Sequence, residues 1–204
     1  MAIELKKGSK LTLEKNSNTS LGEIVVNLNW NKGNVGRKKG FFSALLGQEK
    51  GIDLDLGCLY ELSDGQKGVV QALGNAFGTY QTPPYISLDA DDRTGESAEG
   101  ENLRINGAMI AQFKRILIYT FIYEGVANWR QVDGVVTLNY PGNEAIIVRM
   151  DEYGSSQRLC GIALLTNQHN ETFCIEKIVQ FYHDQVYLDR AFGWGMEWQH
   201  GSKD

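Results

Sequence analysis

Apolar and polar residues alternate along much of this chain with a period of two. Over residues 22–30, Ile24, Val26, Leu28 and Trp30 fall on one face and Asn27 and Asn29 on the other, the pattern of a strand with one buried side. Residues 52–62 alternate again. Ile52, Leu54, Leu56, Cys58, Tyr60 and Leu62 share one face, and Asp53, Asp55, Gly57, Leu59 and Glu61 share the other. Ser63-Asp64-Gly65 reads as a turn into a strand at 67–71. Short strands are expected at 85–89 and 103–106, on either side of an acidic stretch. Residues 115–124 are apolar on both faces and suit a central strand. Two hairpins follow, 135–139 with 144–150 and 159–166 with 172–181, joined by Tyr140-Pro141-Gly142-Asn143 and Asn167-Gln168-His169-Asn170. Helical signals are weak and short, at 41–46, 108–114 and 183–191. Many strands with frequent turns predict a mostly β protein, an antiparallel β-sandwich of two sheets with a few short helices.

The chain has 204 residues, enough for a sizeable core, and residues 1–204 read as one domain. Residues 31–50 are glycine-rich and basic and read as a mobile loop inserted between two strands. The longest apolar stretch, 116–123, is far short of the roughly 20 residues a bilayer span needs. The start, Met1-Ala2-Ile3-Glu4-Leu5-Lys6-Lys7, lacks an apolar signal core, so the expected compartment is the cytoplasm, with no membrane insertion. Cys58, Cys160 and Cys174 are odd in number and widely spaced, with no CxxC pair. They are expected to be buried small hydrophobes rather than disulfides or zinc ligands.

Charge changes the picture. The net charge is −5, yet residues 1–50 hold nine Lys/Arg against four Glu. The basic cluster Arg37-Lys38-Lys39 is too short, in an acidic chain, to imply nucleic-acid binding. The opposite charge concentrates at 89–102, which carries six carboxylates and one arginine. Crowding of that kind is self-repelling unless a cation resides there. Asp53 and Asp55, at i and i+2 of one strand, project from the same face, about 6–7 Å apart, and form a natural half of a hard-cation site. The acidic stretch offers the other half through Asp89, Asp91, Asp92, Glu96, Glu99 and Glu101, with Gly95 and Gly100 to bend the backbone and Asn102 at its end. Oxygen donors without His or Cys point to calcium or magnesium rather than zinc or copper. The pattern is not an EF-hand, because Arg93 and Thr94 stand where that loop needs an Asp/Asn and a Gly. On these residues alone, a solvated acidic loop and a cation site both remain open.

Three stretches together resemble the TerD superfamily of bacterial tellurium-resistance and stress proteins. They are A-I-E-L-K-K-G-S-K-L-T-L at the start, G-I-D-L-D-L-G-C-L-Y, and D-D-R-T-G-E-S-A-E-G-E-N-L-R-I. The ending, L-D-R-A-F-G-W-G-M-E-W-Q-H-G-S-K, is similar to the TerA-like branch. The resemblance spans nearly the whole chain and is weakest over 31–50. It implies a calcium-binding β-sandwich, with Asp53, Asp55, Asp91, Asp92, Glu96 and Glu101 as ligands and Gly95 contributing through its carbonyl. It also implies one or two calcium ions and partners among other stress-response proteins, at the membrane surface. One departure stands out. The family's loop typically ends in a run such as G-D-G-D-D-E, and here the stretch is S-A-E-G-E, which puts a second ion in question unless Glu99 compensates.

Two other classes compete. Paired carboxylates also serve hydrolases as general acid and base, but these acids lie among Gly, Ser and Thr, without the apolar cleft that separates two protonation states. No Ser/His/Asp or Cys/His signature appears, and His169, His183 and His200 are scattered, so the chain is not read as an enzyme. A calcium-dependent carbohydrate-binding module would use Trp129, Trp194 or Trp198 as sugar platforms. The run from Phe192 to Trp198 reads better as a strand packed on the core.

Overall fold

The computed structural model describes residues 2–15, 20–30, 52–89, 100–125, 129–150, 156–199 and 201. Among them the strands are β1 (Ile3–Glu4), β2 (Lys10–Thr12), β3 (Glu23–Asn29), β4 (Asp53–Leu62), β5 (Lys67–Gln71), β6 (Gly78–Thr79), β7 (Ile86–Leu88), β8 (Glu101–Asn106), β9 (Phe113–Glu124), β10 (Val135–Asn139), β11 (Ile146–Arg149), β12 (Leu159–Gln168) and β13 (Thr172–Tyr182). The helices are α1 (Trp129–Val132) and α2 (Gln185–Phe192). The first sheet has the order β1-β11-β10-β3-β8-β7-β6 and the second β2-β13-β12-β9-β4-β5. Every pairing is antiparallel except β1 beside β11. The facing sides of both sheets share one core, with Ile24, Val26 and Leu28 of β3 and Leu103 and Ile105 of β8 opposing Leu54, Leu56 and Cys58 of β4 and Ile116 and Ile118 of β9. This is the antiparallel sandwich that the period of two predicts.

The first sheet keeps its alternation: β3 buries every second residue. The second sheet does not. On β4 every residue after Asp53 is buried, the polar-looking face included. A second apolar cluster explains this. Leu59, Leu117, Tyr119, Phe121, Leu159 and Tyr182 pack on the outer side of the sheet, and Leu188 of α2 and Trp194 cover them. The second sheet therefore lies between two apolar layers.

Polar anchors hold that cover in place. The Asp184 carboxylate caps α2 by accepting from the N–H groups of Val186 and Tyr187. Beyond the helix the chain is irregular rather than the expected strand, yet Trp194 is fully buried and its Nε1 donates to the Tyr60 carbonyl at 3.0 Å. The Arg115 guanidinium lies 3.8 Å from the Trp194 ring centroid and donates to the carbonyls of Phe192 and Gly193. The buried Asp189 carboxylate accepts from Gly195 N, Met196 N and Trp198 Nε1. Trp129 is also buried, its Nε1 donating to the Gln157 carbonyl. Neither Trp129 nor Trp194 presents a ring face to a sugar.

Other expectations need correction. The helix expected at 108–114 is a 3-10 turn, Gly107–Gln112, and β9 begins at Phe113, whose ring enters the core opposite Leu62. The short elements β1, β2, β6 and α1 have no signal in the sequence pattern; two to four residues are too few to display a period. Cys58 and Cys160 are buried, but Cys174 is only half-buried, on the outward side of β13; all three are free thiols. The 41–46 helix and the 31–50 loop lie outside the described residues. Among the described residues no helix is long and apolar enough to cross a membrane.

Two consequences are measurable. Glu61 is buried on β4, and its carboxylate accepts from Lys114 Nζ at 2.8 Å and Arg115 Nε at 2.6 Å. Burial pulls its pKa upward, but the hydrogen bonds from Lys114 and Arg115 outweigh it and leave the carboxyl below its ordinary value. The stability it contributes is present above the ordinary glutamate pKa and is lost as pH falls through the lower folded-state value. Glu61→Gln should cost about 2 kcal/mol at pH 7 and flatten the acid limb of the stability curve, read by urea melts from pH 3 to 7. An acid limb of unchanged slope would remove Glu61 from that role. Trp194→Ala should cost about 4 kcal/mol, since it empties a closed apolar layer, and equilibrium urea unfolding measures it directly.

Candidate metal centre

The candidate ligands arise at one end of β4. This strand pairs with β9 along its whole length but with β5 only over Gly57 to Glu61. Its first residues therefore run beyond β5, leaving a buried backbone edge that β5 does not pair. The first sheet reaches across to that edge. Trp30, just after β3, donates its Nε1 to the Ile52 carbonyl at 3.1 Å, and Glu101, the first residue of β8, accepts from Leu56 N–H through Oε2 at 2.6 Å. A carboxylate thus takes the place that a strand neighbour would occupy.

The sequence pattern places Glu101 in the acidic loop. It is instead a strand residue, buried and paired in register with Leu28. Gly100 sets it there. Its φ is +72°, and a Cβ at this position would lie 2.1 Å from the Leu28 carbonyl oxygen, so only glycine permits the backbone to pass so close to β3.

Asp55 is fully buried on the outward face of β4, and its carbonyl accepts from the Thr120 hydroxyl at 2.9 Å. Asp53 is half-buried, next to a register irregularity, opposite Glu124 of β9. The structure thus brings the Glu101 carboxylate to the backbone of Leu56, the residue after Asp55, with Asp53 at the end of the same strand. Asp91, Asp92, Gly95 and Glu96 lie outside the described residues, as does Glu99. Among the described residues there is no group of three or more His, Cys, Asp or Glu side chains that could hold a metal ion. Asp53, Asp55 and Glu101 do not close a cage by themselves.

The other described members of the acidic stretch, Asp89 and Asn102, have structural partners. Asp89 forms a bidentate pair with Arg104, at 2.9 and 3.0 Å, and Arg104 also donates to Glu23 at 3.0 Å. The Asn102 side-chain oxygen accepts from Asn27 Nδ2 at 2.9 Å. Asp89 N–H donates to the Asn102 carbonyl at 2.9 Å, closing the base of the loop. The sequence offered a signal for the first pair, since Arg104 stands one strand away from Asp89, but nothing in it fixed which acid the arginine would choose.

The donor chemistry fits a hard cation. The groups at this end are carboxylates, two of them buried where an uncompensated negative charge is costly. Cys58 faces the opposite side of β4, and burial pushes its thiol far above the ordinary range, so it offers no thiolate to a soft metal. His169 and His183 are exposed, the latter beside Asp184 at 2.9 Å.

Gly100→Ala should destabilise the protein by about 3 kcal/mol, through a strained φ and a backbone clash that displaces Glu101. Thermal melts in EDTA measure it, and a melting temperature equal to wild type would show that the β8 entry tolerates a side chain.

No protein-family model matches the chain. Among curated proteins, the tellurium resistance protein TerA of Alcaligenes sp. is 46% identical over 198 residues. The match covers 97% of this chain, and the chain spans 57% of that relative's length. Among solved structures, a homologue of the telluride resistance protein TerD from Streptomyces coelicolor A3(2) superposes with a TM-score of 0.56 at 16% identity, over 83% of this chain and 95% of that one. A crystal structure of a protein of unknown function gives a TM-score of 0.58 at 12% identity, over 88% of this chain and all of the other. At such identities these two likenesses concern the fold alone.

Proposed function

This chain belongs to the TerD superfamily of tellurium-resistance proteins, and from that membership we propose that it is a calcium-responsive interaction module acting in tellurite resistance and stress response. The observation that carries the reading is the pair of buried carboxylates, Asp55 and Glu101, at the open edge of β4 where the acidic 89–102 stretch rejoins the fold. Asp53, Asp55 and Glu101 would hold one side of a calcium ion, and Asp91, Asp92, Glu96 and the Gly95 carbonyl would supply the rest. Bound there, the metal would contribute positive charge to carboxylates already withdrawn from water. Because Glu101 belongs to one sheet and bonds to a strand of the other, occupancy would fasten the two sheets together at that end. The ordered loop would then serve as a docking surface for other stress-response proteins. We read the chain as a cytoplasmic binding protein rather than an enzyme.

The test is calorimetry of EDTA-stripped protein with calcium and then magnesium in 0.15 M salt, followed by thermal melts. Calcium at a hundred times its Kd should stabilise the fold by about 2.7 kcal/mol, and the stoichiometry distinguishes one ion from two. Asp53→Ala with Asp55→Ala should abolish both the heat and the shift in melting temperature. A double variant that still responds in full would exclude β4 from the site.

A further inference from the structure

β5 is the last strand of the second sheet and pairs only with β4. The Gln66 carbonyl accepts from Leu62 N–H at 2.8 Å on the β4 side, so by alternation Gly68 and Val70 also turn their backbone groups toward β4. Lys67, Val69 and Gln71 turn theirs outward. Gln71 follows this rule, since its N–H donates away from β4 to the Ala76 carbonyl at 2.9 Å, where the chain folds back. Among the described residues nothing bonds to the outward N–H and C=O groups of Lys67 and Val69. Two consecutive rungs of a ladder are therefore unfilled.

Open edges are commonly guarded by a lysine aimed into solvent. β2, the opposite edge of the same sheet, carries Lys10, 63% exposed. On β5 the lysine is withdrawn: Lys67 Nζ donates to the Trp194 carbonyl at 2.5 Å. Beside the unfilled rungs lies a groove of about 390 Å³, with β5 as one wall and the segment after Trp194 as the other. Val69, Met196 and Trp198 line it, each half-buried, and Glu197 stands exposed at its rim. The far wall is tied to α2. Buried Asp189 accepts from Met196 N–H and Trp198 Nε1, so the groove is formed before anything enters it.

We propose that this groove takes an extended peptide, which adds a strand to β5. Its backbone fills the rungs at Lys67 and Val69, and its alternate apolar side chains rest on Met196 and Trp198. The acids nearby set the charge of the peptide. Glu197 is exposed, as is Asp64 beside the groove residue Gly65. Glu61 is neutralised by Lys114 and Arg115, and Lys67 is committed to a carbonyl, so basic flanking residues complement the rim. A second copy of this chain fits less well. Its β5 brings its own 195–198 segment to the same face, and two such edges would close only by displacing both. The inference uses neither Asp55 nor Glu101 and stands apart from the calcium reading.

The test is fluorescence anisotropy in EDTA, with the labelled peptide Arg-Val-Lys-Val-Arg and wild type, Val69→Pro, Met196→Ala or Glu197→Gln. Saturable binding by wild type is expected. Val69→Pro deletes an outward N–H that β4 does not use, so the melting temperature should hold while the peptide binds about tenfold more weakly. Met196→Ala should weaken binding about fivefold through lost apolar contact, and Glu197→Gln about threefold. Two further peptides, one N-methylated at both valines and one at the lysine, block alternate sets of rungs. One should fail and the other should bind like the parent. Equal affinity or equal loss in the two overturns the proposal, as does the absence of saturable binding up to about 1 mM. A dimer in sedimentation that Val69→Pro dissolves assigns the edge to a second copy and also overturns it. If Val69→Pro does not fold, the two methylated peptides decide by the same criterion.

Discussion

A strand covered on both faces has nowhere to send a charge, and β4 is such a strand. It carries two acids, Asp55 and Glu61, into a layer enclosed by the main core on one side and by α2 and the Trp194 segment on the other. At the Glu61 end the fold answers with Lys114 and Arg115 from β9. Arg115 then extends the answer: the same guanidinium stacks on Trp194 and satisfies two carbonyls of the covering segment, so neutralising Glu61 and closing the outer layer are one event. Under the calcium reading, a cation would be held at the Asp55 end, and binding there would be linked to the same layer.

The architecture was largely legible in advance because period-two alternation is a property of strands long enough to display it. Residues 22–30, 52–62 and both hairpins are of this kind, and β3, β4, β10 with β11, and β12 with β13 occupy those places. What could not be read was the second layer. The outward face of β4 has an acidic, glycine-containing pattern indistinguishable from a solvated face, and it becomes buried only because a segment more than a hundred residues later folds over it. The same long-range event explains the tryptophans: Phe192 to Trp198 reads as a strand by composition, yet its burial comes from hydrogen bonds to Tyr60, Asp189 and Arg115 rather than from a ladder.

The candidate site divides along the same line. That Asp53 and Asp55 share a strand follows from spacing alone. That Glu101 bonds to β4 does not, because this depends on how far β5 extends along its neighbour and on a glycine at 100 that lets β8 approach β3. Glycines 57 and 100 matter here for what they admit, an aromatic ring in one case and a backbone in the other. A sequence displays the residue but not the atom that fills its gap.

The acidic stretch also proves to be divided in its labour. Asp89 is committed to Arg104, and its N–H to the Asn102 carbonyl, while Glu101 is committed to β4. The described residues that flank 90–99 are therefore held by the sheet on both sides. Closing a loop costs entropy that grows slowly with its length, and here that cost is met by folding rather than by binding. Under the calcium reading, less of the binding free energy would be consumed in bringing the flanks of this segment together, which would favour affinity without further contacts. An arginine that pairs with one of six acids thus offsets part of the charge of the acidic stretch and ties its first residue to β8.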